Sequence, residues 1–277
     1  VALQHFRQPR VAEIVASKLR DDILSGRLKE GDVLPSQESL FGEFGVSPPV
    51  VREAIHILET DGLISVRRGN VGGAVVHLPT AERTAHMISM VLQARSATPV
   101  DVSAALMHLE PICAGMCAAR EDRMTEVVPY LQHEIDQQTA QFDDVSQYVP
   151  NARRFHETLV SRCGNEPMIL LIGSMELIWS AHESSVWNDH GEPAPMAGKT
   201  RRAALRDHQR LLGAIRDGNS ARAVRLAQDH LAVARRRTLA FGTDKTIEAK
   251  LMSDIGVRLH TPTRSNGQSQ NGKESGA

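Results

Sequence analysis

Ser47-Pro48-Pro49-Val50-Val51-Arg52-Glu53-Ala54-Ile55-His56-Ile57-Leu58-Glu59-Thr60-Asp61-Gly62 is the stretch whose reading decides the fold. Ser47 stands where a helix N-cap belongs, and the two prolines follow at the first helical positions, which need no N–H donor. Asp61-Gly62 ends the helix, because glycine enters the left-handed conformation of a C-terminal cap without steric cost. Val51, Ile55 and Leu58 recur at helical spacing and predict a buried face, with Arg52 and His56 off it and facing a partner. Upstream, Leu34-Pro35-Ser36 leads into a shorter helix over 37–44 with Ser36 as its N-cap, and Gly45-Val46 leaves room only for a tight turn. Two helices joined so closely form a helix-turn-helix, whose second helix enters the major groove of DNA.

Ahead of this pair, residues 1–9 read as a loose arm and 10–24 as an amphipathic helix with Val11, Ile14, Val15, Leu19 and Ile23 as its apolar stripe. Residues 27–33 form a turn-rich link. Behind the pair, 63–67 alternates like a strand, the glycines of 68–73 suit a hairpin loop, and 74–77 returns as the partner strand. Three helices and a β-hairpin predict a winged helix-turn-helix over 1–78, with Arg67, Arg68 and Gly69 at the wing tip for phosphate or minor-groove contact. Residues 78–80 are a natural linker. From there the spacing is helical, with helices expected over 82–93, 98–119, 123–141, 146–162, 166–187, 197–217 and 220–242. The fold class is therefore mainly α, the winged unit being followed by an all-α bundle over 79–242 large enough to enclose a pocket. A short helix over 245–259 and a Ser-, Gly-, Asn- and Gln-rich end over 261–277 predict a C-terminal extension, 243–277, that is largely a disordered tail.

The formal net charge is −1, and acidic and basic residues nearly balance in the first eighty positions, so DNA binding must rest on the local placement of Arg52, Arg67 and Arg68. Three cysteines, Cys113, Cys117 and Cys163, cannot pair evenly and read as reduced thiols of a cytoplasmic protein. No apolar run approaches a membrane span and no signal-peptide pattern opens the chain, which predicts no membrane partner. There is no Ser-His-Asp logic and no dinucleotide fingerprint, and the glycines of 70–73 lie between strands instead of opening a helix, so they cradle no phosphate.

The chain resembles the GntR family of bacterial transcription regulators, and within it the FadR-type subfamily with an FCD effector domain, over about residues 10–242. The first half of the resemblance lies in Ile23-Leu24-Ser25-Gly26-Arg27-Leu28, Gly31, Leu34-Pro35-Ser36, Leu40, Gly45-Val46-Ser47, Val51-Arg52-Glu53-Ala54, Leu58 and Asp61-Gly62-Leu63-Ile64. The second half lies in Leu109-Glu110-Pro111, Phe155-His156, Gly164-Asn165-Glu166-Pro167, His208 with Ala214-Ile215 and Gly218-Asn219, and His230. The resemblance implies a homodimeric regulator, expected to be a repressor, that binds double-stranded operator DNA and responds to a small-molecule effector in its helical domain. Pro48 stands where the family commonly has an arginine, and Gln37-Glu38 where it often has Glu-Arg. Arg52 matches, so operator binding carries over and the base sequence read does not.

The resemblance also implies a divalent metal held by three histidines and a carboxylate. His156, His208 and His230 match the histidines, which would suit zinc, nickel or manganese, one per subunit, with an open position for a ligand. The carboxylate position holds Ala152, and Asn151 beside it is rotated by about 100° on a helix. The alternative is a metal-free, hydrogen-bonded cluster of imidazoles. Members that sense small acids often carry an arginine where this chain has Leu106. With Leu106, Glu110, Met175 and Trp179 expected in the pocket, and Met107, Met168, Leu177, Ile178 and Trp187 near it or in ordinary bundle core, the missing cation predicts a fatty acyl or lipid-like effector. Two other functions compete with the ligand-responsive regulator. One is a metal-dependent enzyme built on the three histidines; the other is a constitutive DNA-binding dimer without ligand response.

Overall fold

The computed structural model describes residues 10–67, 73–189, 198–239 and 246–249. They divide into two compact units with the boundary after Thr80.

The first unit runs α1 (Val11–Leu24), α2 (Gln37–Phe44), α3 (Pro48–Thr60), β1 (Ile64–Arg67) and β2 (Gly73–Val76). In α3, Val51, Ala54, Ile55 and Leu58 are buried as their spacing predicts. A Schellman motif closes the helix: Gly62 sits at φ 73°, its N–H reaches the Glu59 carbonyl at 3.0 Å, and Leu63 N–H reaches the Leu58 carbonyl at 2.9 Å. Gly45, at φ 62°, makes the turn between α2 and α3. Ser36 caps α2 by accepting from Ser39 N–H at 3.1 Å. Ser47 differs from expectation, because its hydroxyl makes no cap bond. Pro48 and Pro49 have no N–H to offer, and Val50 N–H goes to the Ser47 carbonyl at 3.0 Å.

The apolar face of α1 is also turned from the expected one. Val11 and Ile14 are 52% and 55% exposed, while Ala12 and Ala16 join Val15, Leu19 and Ile23 in the core. α1 packs on α3, and small side chains on a buried helix face permit close packing where larger groups would hold helices apart. In the wing, Ile64 pairs with Val76 and Arg67 with Gly73 in an antiparallel register. Part of the expected turn-rich link pairs with it: Val33 bridges to Val75, Leu34 N–H reaches the Ala74 carbonyl and Val76 N–H the Asp32 carbonyl, both at 2.8 Å. The arm 1–9 and the loop 68–72, with Arg68 and Gly69, lie outside the described residues.

The second unit runs α4 (Ala81–Ala94), α5 (Pro99–Ala119), α6 (Arg123–Glu126), α7 (Val128–Ala140), α8 (Val145–Ser161), α9 (Glu166–Asp189), α10 (Gly198–Arg216) and α11 (Ser220–Leu239). The single helix expected over 123–141 is two. Val127 leaves helical geometry at φ −125°, and Pro129, which cannot donate to a preceding carbonyl, starts a new helix in its first turn. α5 packs along α11 and α9 at the centre of the bundle. Gly115 permits the α5–α11 approach, since a Cβ there would lie 2.7 Å from Val224 Cγ2. By length and composition α5 matches a membrane span, against expectation. Its buried residues run from Pro99 to Ala118 and include Glu110, which is the pattern of a core helix. Cys113, Cys117 and Cys163 are free thiols in this core.

Residues 246–249 form no helix, against the expectation of one over 245–259. Ile247 is buried in the bundle core, its N–H bonded to the Ala97 carbonyl at 2.8 Å, and that bond to the α4–α5 corner takes the place of an intrahelical one. The remainder of that expected helix, and the tail 261–277, lie outside the described residues.

Candidate metal and effector site

Five helices bring the histidines and their supports together. His156 comes from α8, His208 from α10 and His230 from α11, each on the inner face of its helix. Their Nε2 atoms converge: His208 to His230 is 3.2 Å and His230 to His156 is 3.3 Å. All the candidate ligand atoms lie within 4.8 Å of one another. Each Nδ1 faces an acceptor. His156 Nδ1 is 2.6 Å from Glu110 Oε1, His208 Nδ1 is 2.8 Å from Gln138 Oε1, and His230 Nδ1 is 3.7 Å from Asp207 Oδ2. Gln138 donates its amide N–H to the Asn151 carbonyl at 3.4 Å, so its oxygen faces His208 and His208 must carry its proton on Nδ1. The Nε2 atom of His208 is therefore a bare acceptor facing Nε2 of His230, which carries at most one proton to share between its two neighbours.

Burial, then the neighbouring imidazoles, hold His208 well below the usual histidine range. Burial also lowers His230, partly offset by its contact with Asp207. Both rings are consequently neutral near pH 7, the form that ligates a metal. Asp207 is lowered in turn, chiefly by His230.

Two buried carboxyls complete the cluster. Burial raises Glu110 to about 7, with Glu176 and His230 acting against the rise. Glu176 is pushed well above the ordinary range by burial and then by the Glu110 charge. Glu110 Oε2 is buried and has no hydrogen-bond partner among the described residues. A proton on Glu176 resolves both facts, since it can be donated to Glu110 and leaves Glu110 to accept from His156.

Beside the histidines lies a cavity of about 130 Å³. Leu106 and Glu110 of α5 and Trp179 of α9 line it as expected, and so does Ala152, whose methyl group stands at the expected carboxylate position. Met175 does not; it packs against the hydrophobic core, while Glu176, about 100° further round the helix, faces the cavity with Trp179 one turn on. Met168, Leu177 and Ile178 are core or pack on it, and the Trp187 side chain lies outside the described residues. Asn151 turns away and donates to Gln141 Oε1 at 2.5 Å.

The expectation of a wall without a cation is corrected. Arg153 of α8 and Arg235 of α11 both line the cavity, supplying from other helices what Leu106 on α5 lacks. Arg153 was within reach of the sequence, being three residues before His156 and thus on its face. Glu176 carried a weaker signal, a lone acid in an apolar helical run. Arg235 and Gln138 carried none. The size matters too: a cavity of about 150 Å³ accommodates a benzene ring, so the enclosed part of this one holds a group of about that size.

On the first unit, Arg52 and Arg67 are exposed, and among the described residues Arg52 has no hydrogen-bond or ion-pair partner. Ser36 stands at the N-terminus of α2, where backbone N–H groups favour phosphate, whereas at the N-terminus of α3 the two prolines leave the Ser47 hydroxyl as the polar group on offer.

Comparison with known proteins agrees with this architecture. The family described as "Bacterial regulatory proteins, gntR family" matches residues 11–75, and the FCD domain matches residues 101–233. The HTH-type transcriptional regulator Mce2R of Mycobacterium tuberculosis is 41% identical over 71 residues, which is 26% of this chain and 30% of that protein. The chain thus aligns with less than a third of that relative's length. The Uxu operon regulator of Haemophilus influenzae is 26% identical, covering 78% of this chain and 77% of that one. The HTH-type transcriptional repressor NanR of Klebsiella aerogenes is 25% identical over 85% of this chain and 88% of its own. Among solved structures, a GntR protein of Streptococcus agalactiae superposes with a TM-score of 0.62 over 82% of this chain and 99% of that one, at 20% identity, which speaks for the fold. Family and relatives are regulators of transcription and not enzymes, and the enzyme reading of the histidines falls away.

Proposed function

The chain belongs to the GntR family of bacterial regulatory proteins and carries an FCD domain, and on that premise we propose that it is a cytoplasmic, ligand-responsive regulator, a repressor, that binds operator DNA as a homodimer. The FCD domain fits the FadR-type subfamily. The observation that carries the reading is one chain joining a winged helix-turn-helix, its Arg52 exposed, to a bundle where three imidazole Nε2 atoms meet beside a cavity. Arg52, in the first half of α3, suits a bidentate contact with guanine. Ser36, Ser47, Arg67, Arg68 and Gly69 would supply phosphate contacts, which set position without reading sequence. The name of NanR, a repressor, supports the sign of regulation.

His156, His208 and His230 would hold one divalent ion, zinc, nickel or manganese. The fit rests on the donor set. Two Nε2 atoms crowd a third at 3.2 and 3.3 Å, and the opposite ring edges face Glu110, Gln138 and Asp207, the arrangement that fixes histidine ligands in place. When bound, the ion would supply a Lewis-acidic open position to an oxygen donor. The effector's role is a population shift: it must bind one conformation of the protein better than the other, and DNA affinity follows. The domain division at 78–80 and the FCD-like unit's role in dimerisation belong to the same reading.

For the dimer contact we favour α4, which exposes Met87, Met90 and Val91 at 59%, 39% and 51%, an apolar stripe at helical spacing. Val91→Glu is expected to shift sedimentation from dimer toward monomer with little change in unfolding temperature, because the side chain touches little within its own chain. An unchanged dimer would exclude this face.

The function itself is tested by selecting bound fragments from genomic DNA and measuring affinity on a selected site and on random DNA. A preference of about a thousandfold or more is expected for a specific regulator. Equal affinity for both would sink the proposal.

A further inference from the structure

Glu30 lies in the turn-rich link between α1 and α2, and the turn is built to present it. Gly31 turns the chain at φ 85°, in the left-handed region, and Asp32 braces the turn by accepting the Lys29 N–H at 2.8 Å. Gly31 N–H reaches the Val76 carbonyl at 3.0 Å and Val76 N–H the Asp32 carbonyl at 2.8 Å, which holds the backbone beside Glu30 against the end of β2. The carboxylate then grips two consecutive residues. Oε1 accepts from His77 Nδ1 at 2.9 Å, and Oε2 accepts from the Leu78 N–H at 2.5 Å. The rest of His77 is held as well: Nε2 lies 2.8 Å from Ser65 Oγ on β1, and the backbone N–H donates to the Leu63 carbonyl at 2.8 Å. Sheet-like pairing ends with that N–H, and the next donor, the Leu78 N–H, goes to Glu30 instead. Pro79 follows, which fixes its own φ and restricts Leu78 to extended backbone. The direction set at Leu78 is thus carried stiffly into the linker.

We propose that Glu30 is a positioning residue for DNA recognition. By clamping His77 and Leu78 it fixes the direction in which the linker leaves the winged unit, and with it the half-site spacing that the protein accepts. This rests on reading the chain as a dimer that binds operator DNA. Two winged units reach two major grooves together only if they are presented at one separation and rotation, about one helical turn apart or a multiple of it. A linker free to pivot at residue 77 would let the pair fit several spacings and favour none. A carboxylate suits the task because its two oxygens bind two donors at once, one on a ring and one on the backbone, so neither residue can swing without breaking a bond. Glu30 touches no DNA in this role and acts through residues 77 and 78.

The test uses the full-length protein and three duplexes: a selected operator, the same operator with two base pairs inserted between its half-sites, and a single half-site. The insertion turns one half-site by about 70° relative to the other and is expected to weaken wild-type binding about tenfold or more. Glu30→Ala is expected to lose about tenfold on the intact operator, to bind the two spacings within about threefold of each other, and to bind the single half-site as wild type does. Glu30→Gln, which keeps one acceptor oxygen, should retain part of the spacing preference, and so should His77→Ala, which leaves the Leu78 bond in place. The Glu30 side chain is 55% exposed, so its variants should unfold near the wild-type temperature. An insertion penalty unchanged in Glu30→Ala overturns the proposal. An equal loss on the single half-site overturns it as well, since Glu30 would then support the winged fold itself. Wild type that binds the single half-site as tightly as the intact operator rejects the dimeric reading and this inference with it. A wild-type spacing preference that no Glu30 variant alters rejects the inference alone.

Discussion

Zinc added to the metal-free protein is expected to raise the unfolding temperature of the helical unit by on the order of 10 °C. A ligand at about a thousand times its dissociation constant stabilises the folded state by about 4 kcal/mol, and each kcal/mol moves the midpoint of a unit this size by about 2–4 °C. The physical source is the crowding of Nε2 atoms: His230 Nε2 stands 3.2 Å from that of His208 and 3.3 Å from that of His156. Without a cation, one proton on His230 Nε2 satisfies only one of its two contacts. His156→Gln is the better test variant, because its side chain is 15% exposed where that of His208 is fully enclosed, so the substitution removes a ligand with less damage to the core. That variant is expected to lose most of the zinc-induced rise while unfolding near the wild-type metal-free temperature. Scanning calorimetry with elemental analysis reads both quantities. No rise with zinc, nickel or manganese would mean that the three imidazoles are a hydrogen-bonded cluster and the cavity works without a metal.

Arg52→Ala is expected to weaken binding to a selected operator by roughly 5- to 150-fold, the equivalent of about 1–3 kcal/mol for one bidentate base contact. Binding to random DNA should change far less. The side chain is exposed on α3 and has no partner among the described residues, so its removal disturbs neither packing nor an ion pair, and the unfolding temperature should hold. Fluorescence anisotropy on the two DNAs, at a fixed salt concentration, separates the outcomes. Equal losses on both would make Arg52 a phosphate contact and move base reading to other residues of α3, His56 among them.

Where the sequence reading of α1 missed, the reason was competition between two apolar faces. Val11 and Ile14 are larger than Ala12 and Ala16, and a stripe chosen by hydrophobicity alone includes the former pair. The folded unit buries the small residues instead. The break at Val127 was legible in principle, since Pro129 forbids a continuous helix there. The residue type of Ser47 predicts a capping side chain, but Pro49 removes the N2 donor and the Val50 N–H bonds to the Ser47 carbonyl instead. Glu176 illustrates a different loss: Met175 and Glu176 are neighbours in sequence and on different faces of α9, so an error of one residue exchanges core for cavity wall.

The winged helix-turn-helix was readable from the chain alone because its signals are local. N-caps, the prolines at 48 and 49, the glycines at 45 and 62 and the spacing of Val51, Ile55 and Leu58 act within a few residues of the backbone they shape. The three histidines were legible for a related reason, each sitting in a short motif on its own helix. What surrounds them depended on folding. His156 meets Glu110 across 46 residues of chain and His230 across 74, and His208 meets Gln138 across 70. Such contacts depend on how far each helix of the bundle is rotated and how closely it approaches the next. That is why Arg235, with no motif around it, reaches the cavity wall while Met175 turns into the core.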